Sequence, residues 1–131
     1  MAEALAREIL GPDVQVSSAG IGAWEGEKAS PQAVEVMKER GIDLSQHRAR
    51  RVSGNMVQEA DFVIPMTRSQ AEFLQQTYPE YADKIRSLSA FAGLSGDVSD
   101  PWGGSVDEYR GCARQIAEYL ERLKSALKES R

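Results

Sequence analysis

Apolar residues recur at steps of three and four through Val106, Tyr109, Ala113, Ile116, Leu120, Leu123 and Leu127, which predicts a long amphipathic helix closing the chain. Its stripe either packs on a sheet, the common fate of a terminal helix after strands, or forms a coiled-coil seam. Ser105-Val-Asp-Glu108 opens it as a capping box, Ser105 taking an amide of the first turn and Glu108 reaching back. At the other end, Leu5 and Ile9 beside Ala2 and Ala6 predict a helix over 1–10, stopped by Gly11-Pro12. No Ser, Thr, Asp or Asn precedes it, and an α-amino charge would sit at the positive end of its dipole. Either this helix frays, or the chain starts inside an element.

Between these ends, Ser30-Pro31 opens a helix whose apolar side is Ala33, Val34 and Met37, and Gly41 ends it. Ser53 opens a short helix to Ala60, and Phe73 and Leu74 mark another over 69–77, closed by Tyr78-Pro79. Short apolar runs predict strands at 14–18, 61–67 and 84–89. Pro65 lacks an amide for a central ladder, so it belongs at the carboxyl end of its strand. Strands alternating with helices imply an α/β domain over 1–131, a parallel sheet with helices on both faces. Ligands bind such sheets beyond the carboxyl ends of the strands. The loops 18–26, 66–69 and 89–104 leave those ends, so Trp24, Asp100 and Trp102 are expected at one crevice. Trp24, taken alone, is either a packing anchor or a pocket wall.

The chain's 131 residues suffice for one domain with a real core, and its net charge of −4 argues against nucleic acid as the main partner. There is no apolar run long enough to span a membrane and no signal-peptide pattern. A single cysteine, Cys112, forms no internal disulfide and fits a reducing compartment, the cytoplasm. One Cys and one His leave too few ligands for the usual zinc sites, and no metal or other cofactor is expected. The run His47-Arg-Ala-Arg-Arg51 is basic in an acidic protein; it either binds phosphate or forms a solvated face. The stretch 96–110 sets a carboxylate, a rigid proline, a large aromatic and two glycines directly before a capped helix. It reads as an acid held on a shaped loop.

Taken in order, Ser-Ala-Gly (18–20), Ser-Pro-Gln-Ala (30–33), Gly-Ile-Asp-Leu-Ser-Gln-His-Arg-Ala-Arg (41–50), Ala-Asp-Phe-Val-Ile-Pro-Met-Thr (60–67) and Gly-Asp-Val-Ser-Asp-Pro-Trp-Gly-Gly (96–104) resemble the low-molecular-weight protein tyrosine phosphatase family. The resemblance runs through essentially the whole chain. It implies a three-layer α/β/α fold on a four-stranded parallel sheet, and hydrolysis of phosphorylated protein side chains through a phosphocysteine. A thiolate in a Cys-x5-Arg loop attacks phosphorus, and an acid-loop Asp protonates the leaving group and then activates water. By resemblance Asp100 is that acid and base, Trp24 and Trp102 flank the substrate, and Ser18 and His47 brace the phosphate loop. A lone Trp102 followed by Gly103 is more similar to the bacterial protein-arginine phosphatase branch than to tyrosine-specific members, which carry two adjacent aromatics there. Residues 66–92 hold none of the resolving cysteines of the arsenate reductases that share this fold.

One departure is decisive: no Cys-x5-Arg occurs, and six places after Cys112 stands Glu118. Cys112 lies on the flank of the terminal helical stripe, where a buried inert thiol is expected. Met-Ala-Glu-Ala-Leu at 1–5 resembles the segment just after the family's phosphate loop, so the chain is expected to be truncated, lacking a central strand and the nucleophile. Alone it should be poorly stable and inactive. The alternative is a genuine non-catalytic relative that binds a phosphoprotein or another partner.

Overall fold

The computed structural model describes residues 1–22 and 24–129. Along them run α1 (Ala2–Leu10), α2 (Pro31–Glu39), α3 (Gly54–Glu59), α4 (Arg68–Thr77), a 3-10 helix (Pro79–Lys84), α5 (Leu88–Phe91) and α6 (Val106–Glu129). None of these helices is long and apolar enough to cross a membrane. Local chemistry explains their ends. The Ser30, Ser53 and Thr67 side chains accept the Ala33, Met56 and Gln70 amides at the starts of α2, α3 and α4. Beyond α2, Gly41 adopts φ 78°. The Gly41 amide then reaches Lys38 O at 3.0 Å and the Ile42 amide reaches Met37 O at 2.9 Å, a Schellman closure. Helix α1 begins without a side-chain cap, as expected.

Sheet pairing departs from expectation. Among the described residues it is confined to isolated bridges, Val63–Ile85 and Gly20–Arg51 parallel and Lys28–Arg48 antiparallel. The strand expected over 61–67 keeps one bridge, with the Val63 amide on Lys84 O at 3.0 Å and the Arg86 amide on Val63 O at 3.2 Å. Pro65 lies past that bridge, where its missing amide costs no ladder bond, and its carbonyl takes the Leu88 amide at 2.9 Å. The run expected to continue to residue 89 turns helical instead, because the Ser87 hydroxyl caps the Ala90 amide and starts α5. Residues 14–18 form no strand. Their carbonyls are taken by side chains, Val16 O by Arg7 Nη2 at 3.0 Å and Ser18 O by Arg50 Nη2 at 3.3 Å. A strand's polar groups need a neighbouring strand. Without one alongside, arginines supply the donors.

Two apolar clusters organise the chain. The larger joins α1, α2 and α6 through Leu5, Val36, Met37, Ile116 and Leu120, with Leu88 and Val98 beneath. Burying a side chain such as Met37, which has no exposed surface, contributes about 1.5–3 kcal/mol over leaving it in water. The α6 stripe therefore packs on helices α1, α2 and α5, and on a cluster that Val16, Ile64 and Met66 of the 14–18 and 61–67 segments also join, instead of forming a coiled-coil seam. The smaller cluster sets Val57, Leu74 and Ile85 between α3, α4 and the 3-10 helix. Across α2 and α6, Arg110 grips Glu39 with a two-pronged pair, Nε on Oε1 at 2.9 Å and Nη2 on Oε2 at 2.7 Å. That guanidinium holds the Glu39 carboxyl below its ordinary range.

Candidate active site

The Asp100 loop is pinned at both feet and free at its crown. At the first foot the Val98 amide bonds Met66 O at 3.0 Å, and the Val98 side chain is buried. The Asp97 carboxylate takes the Arg68 amide at 2.9 Å, so the loop caps the first turn of α4. From α6, Tyr119 Oη donates toward Ser95 O at 3.3 Å and Gly96 O at 3.2 Å, and Gln115 Nε2 donates to Asp97 O at 3.2 Å. Gly96 needs its flexibility, having φ 104° and leaving a Cβ only 3.4 Å from that hydroxyl. At the second foot Gln32 Nε2, from α2, reaches Gly104 O at 3.0 Å. Ser105 then takes the Glu108 amide at 3.2 Å and starts α6, which is the Ser half of the expected capping box.

At the crown the Asp100 carboxylate is exposed and accepts the Trp102 amide at 3.0 Å, a local turn that fixes its direction. Trp102 is 80% exposed and Trp24, on the loop after Gly20, is 76% exposed. Neither indole packs into the core, so the packing-anchor alternative for Trp24 is excluded. The Trp24 loop is tied back onto residues 48–52: Gly20 N reaches Arg50 O at 2.8 Å, Gly26 N reaches Ala49 O at 2.9 Å, and Ala49 N reaches Glu27 O at 2.8 Å.

Ser18 and His47, from different loops, meet on Glu3 in the first turn of α1. Ser18 Oγ donates to Glu3 Oε1 at 2.9 Å, while His47 Nδ1 lies 3.8 Å and Arg7 Nη1 3.2 Å from Oε2. Glu3 was not singled out from the sequence, although an acid in a first turn is itself a signal, favoured there by the helix dipole. Gln32, Asp97 and Tyr119 were missed as well. Gln32 lies in Ser-Pro-Gln-Ala (30–33) and Asp97 in Gly-Asp-Val-Ser (96–99), but nothing in spacing tells a loop clamp from a surface polar residue.

Cys112 sits beneath the acid loop, half-buried instead of fully buried, with its thiol directed at Ser99 O at 3.6 Å. Burial pushes the thiol pKa up, the Met1 amine opposes that, and the Asp100 charge adds to it. A protonated thiol of this kind is a poor nucleophile. Among the described residues no group of three His, Cys, Asp or Glu side chains is placed to hold a metal ion.

Comparison with known proteins puts these features in a family. The model for low molecular weight phosphotyrosine protein phosphatase matches residues 1–131. A protein-arginine-phosphatase of Bacillus subtilis is 36% identical over 135 aligned positions, covering 100% of this chain and 89% of the relative. A probable low molecular weight protein-tyrosine-phosphatase, EpsP, of Ralstonia nicotianae is 41% identical, covering 88% of this chain and 78% of its own. Among solved structures, a YwlE arginine phosphatase with a cysteine-to-serine mutation and a phosphorylated active-site serine superposes with a TM-score of 0.93 at 36% identity, covering 99% of this chain and 88% of that one. The α/β fold of these phosphatases is thus the fold of this chain, although its sheet is reduced here to single bridges. The chain belongs to the low molecular weight phosphotyrosine protein phosphatase family.

Proposed function

We propose that this single domain, 1–131, is the body of a phosphoprotein phosphatase that hydrolyses phosphoarginine or phosphotyrosine in protein side chains through a phosphocysteine. Asp100 protonates the departing nitrogen or oxygen and then takes a proton from the attacking water. Trp24 and Trp102 flank the substrate side chain. Ser18 and His47, held together by Glu3, brace the phosphate loop. The observation that carries this reading is the acid loop itself: an exposed carboxylate, oriented by its own turn, on a loop clamped at both feet. The phosphorylated active-site serine of the YwlE mutant supports the covalent step, since phosphate there rests on the residue replacing a cysteine. On the acid loop, Trp102 followed by Gly103, in place of two adjacent aromatics, favours phosphoarginine. Thiol chemistry of this kind suits a reducing compartment, the cytoplasm.

These 131 residues contain no Cys-x5-Arg, and Cys112 is no substitute, so this polypeptide alone does not turn over substrate. The assignment is tested by extending the chain at Met1 with the family's first strand and Cys-x5-Arg loop and offering it phosphoarginine and phosphotyrosine. Asp100→Ala should lower turnover by about 10²–10⁴-fold, the range for loss of a general acid. Unchanged turnover would remove Asp100 from the mechanism.

A further inference from the structure

The basic segment after His47 is not absorbed by the catalytic reading. Arg48, Arg50 and Arg51 are exposed, and Lys28 joins them across the antiparallel bridge to Arg48. The bond from Ala49 N to Glu27 O marks residues 28 and 48 as a non-hydrogen-bonded pair, the arrangement in which opposed side chains stand closest. Like charges in that position repel. An acidic chain with twenty carboxylate side chains has ample means to neutralise them. Among the described residues it does not: none of these four cations is in an ion pair. Glu25 uses its carboxylate on the Arg51 backbone amide, at 2.6 Å.

Two of the cations are nevertheless fixed in place. Arg48 Nη1 donates to Ser45 O at 3.1 Å and His47 O at 2.8 Å, and Arg50 Nη2 donates to Ser18 O at 3.3 Å. Each guanidinium keeps further N–H donors for a planar two-oxygen acceptor. They also border an open groove of about 750 Å³ between α1 and residues 41–50. Because residues 48–52 anchor the loop bearing Trp24, these cations lie at the base of that loop.

We propose that Lys28, Arg48, Arg50 and Arg51 form a docking rim for an acidic stretch of a protein partner. Resting on the phosphatase reading, that partner is the substrate, and the rim takes the Asp and Glu residues beside its phosphorylated side chain. Exposed cations outside any ion pair among the described residues, two of them held by backbone carbonyls, are complementary to such a stretch.

The test needs no turnover, so its failure is separable from failure of the phosphatase reading. A fluorescein-labelled peptide of alternating Glu and Ser is titrated into the chain at low salt and followed by anisotropy. The same titration is run with a Gln-for-Glu peptide and with single-stranded RNA of equal charge. The Glu peptide should bind at least about tenfold tighter than the Gln peptide and weaken steeply with salt, as a rim of three or four exposed charge pairs requires. The triple variant R48Q/R50Q/R51Q should lose that preference, while R68Q/R114Q/R122Q, which removes as many charges elsewhere, should keep it. Near-ultraviolet dichroism checks the fold of each variant. The same set run on the chain extended with the phosphate loop keeps the question answerable if a short variant unfolds. Equal binding of Glu and Gln peptides, equal loss in both triple variants, or tighter binding of RNA would each overturn the proposal.

Discussion

Tyr119→Phe isolates what holds the acid loop, because it removes one hydroxyl and leaves the buried ring in place. That hydroxyl lies 3.3 Å from Ser95 O and 3.2 Å from Gly96 O, and receives Gln115 Nε2 at 3.4 Å. Ser95 and Gly96 are themselves exposed, so water replaces the lost donor at both carbonyls. The cost is accordingly a net hydrogen-bond value, about 0.5–1.5 kcal/mol, and not the larger penalty of an orphaned buried group. At about 1 kcal/mol the melting temperature falls by roughly 3–6 °C for a domain of this size. The locus matters more than the total. Hydrogen exchange should quicken about fivefold at the Val98 amide, whose bond to Met66 O closes the first foot of the loop, if that foot opens locally. The core amides of α6 should quicken only by the global change. Unaltered exchange over 95–104 together with an unaltered melt would refute the clamp and leave Val98 burial as the loop's anchor.

Other expectations follow from the same contacts. Met37→Ala empties a wholly buried position between α2 and α6 and should cost about 2–5 kcal/mol in urea unfolding; a loss below about 1 kcal/mol would mean that the cluster refills the space. The Glu39–Arg110 pair gives a pH signature. Because Arg110 lowers the Glu39 pKa from its ordinary 4.5, the pair's stabilisation is present above that value and disappears as pH falls through the lowered one. Melts of the chain and of Glu39→Gln should therefore differ near pH 7 and converge in strong acid; a constant gap would contradict it. Cys112, its thiol pKa raised by burial, should alkylate more slowly with iodoacetamide at pH 7.5 than a free cysteine, and fast modification would contradict its half-buried, protonated state.

Helix positions were legible because their signals are local. Ser30 before Pro31, Ser53, and the three–four spacing from Val106 to Leu127 depend on neighbours within a turn or two, and each produced the element expected. Strands were legible as segments but not as a sheet. A parallel ladder depends on the segment lying beside it, so 14–18 and 61–67, apolar enough to be strands, pair only where a partner is within reach. Ser87 shows the other limit: its capping hydroxyl starts α5 at Leu88 and cuts the last strand short after the Val63–Ile85 bridge. Among the candidate site residues, Asp100, Trp24 and Trp102 stood out because large or charged residues among glycines are visible in sequence. The convergence of Ser18 and His47 on Glu3 was not visible, since it joins positions far apart along the chain through contacts that only folding creates.

In the proposed mechanism Asp100 works opposite a thiolate, and that is most directly tested by phosphate release. Phosphoarginine peptide is offered to the 131-residue chain and to the same chain extended at Met1 with the family's first strand and Cys-x5-Arg loop. The expected result is no release from the first, and turnover from the second that stops on alkylation or on replacing the loop cysteine by serine. Release of phosphate by the 131 residues alone, or activity of the extended chain that survives loss of that thiol, would contradict it.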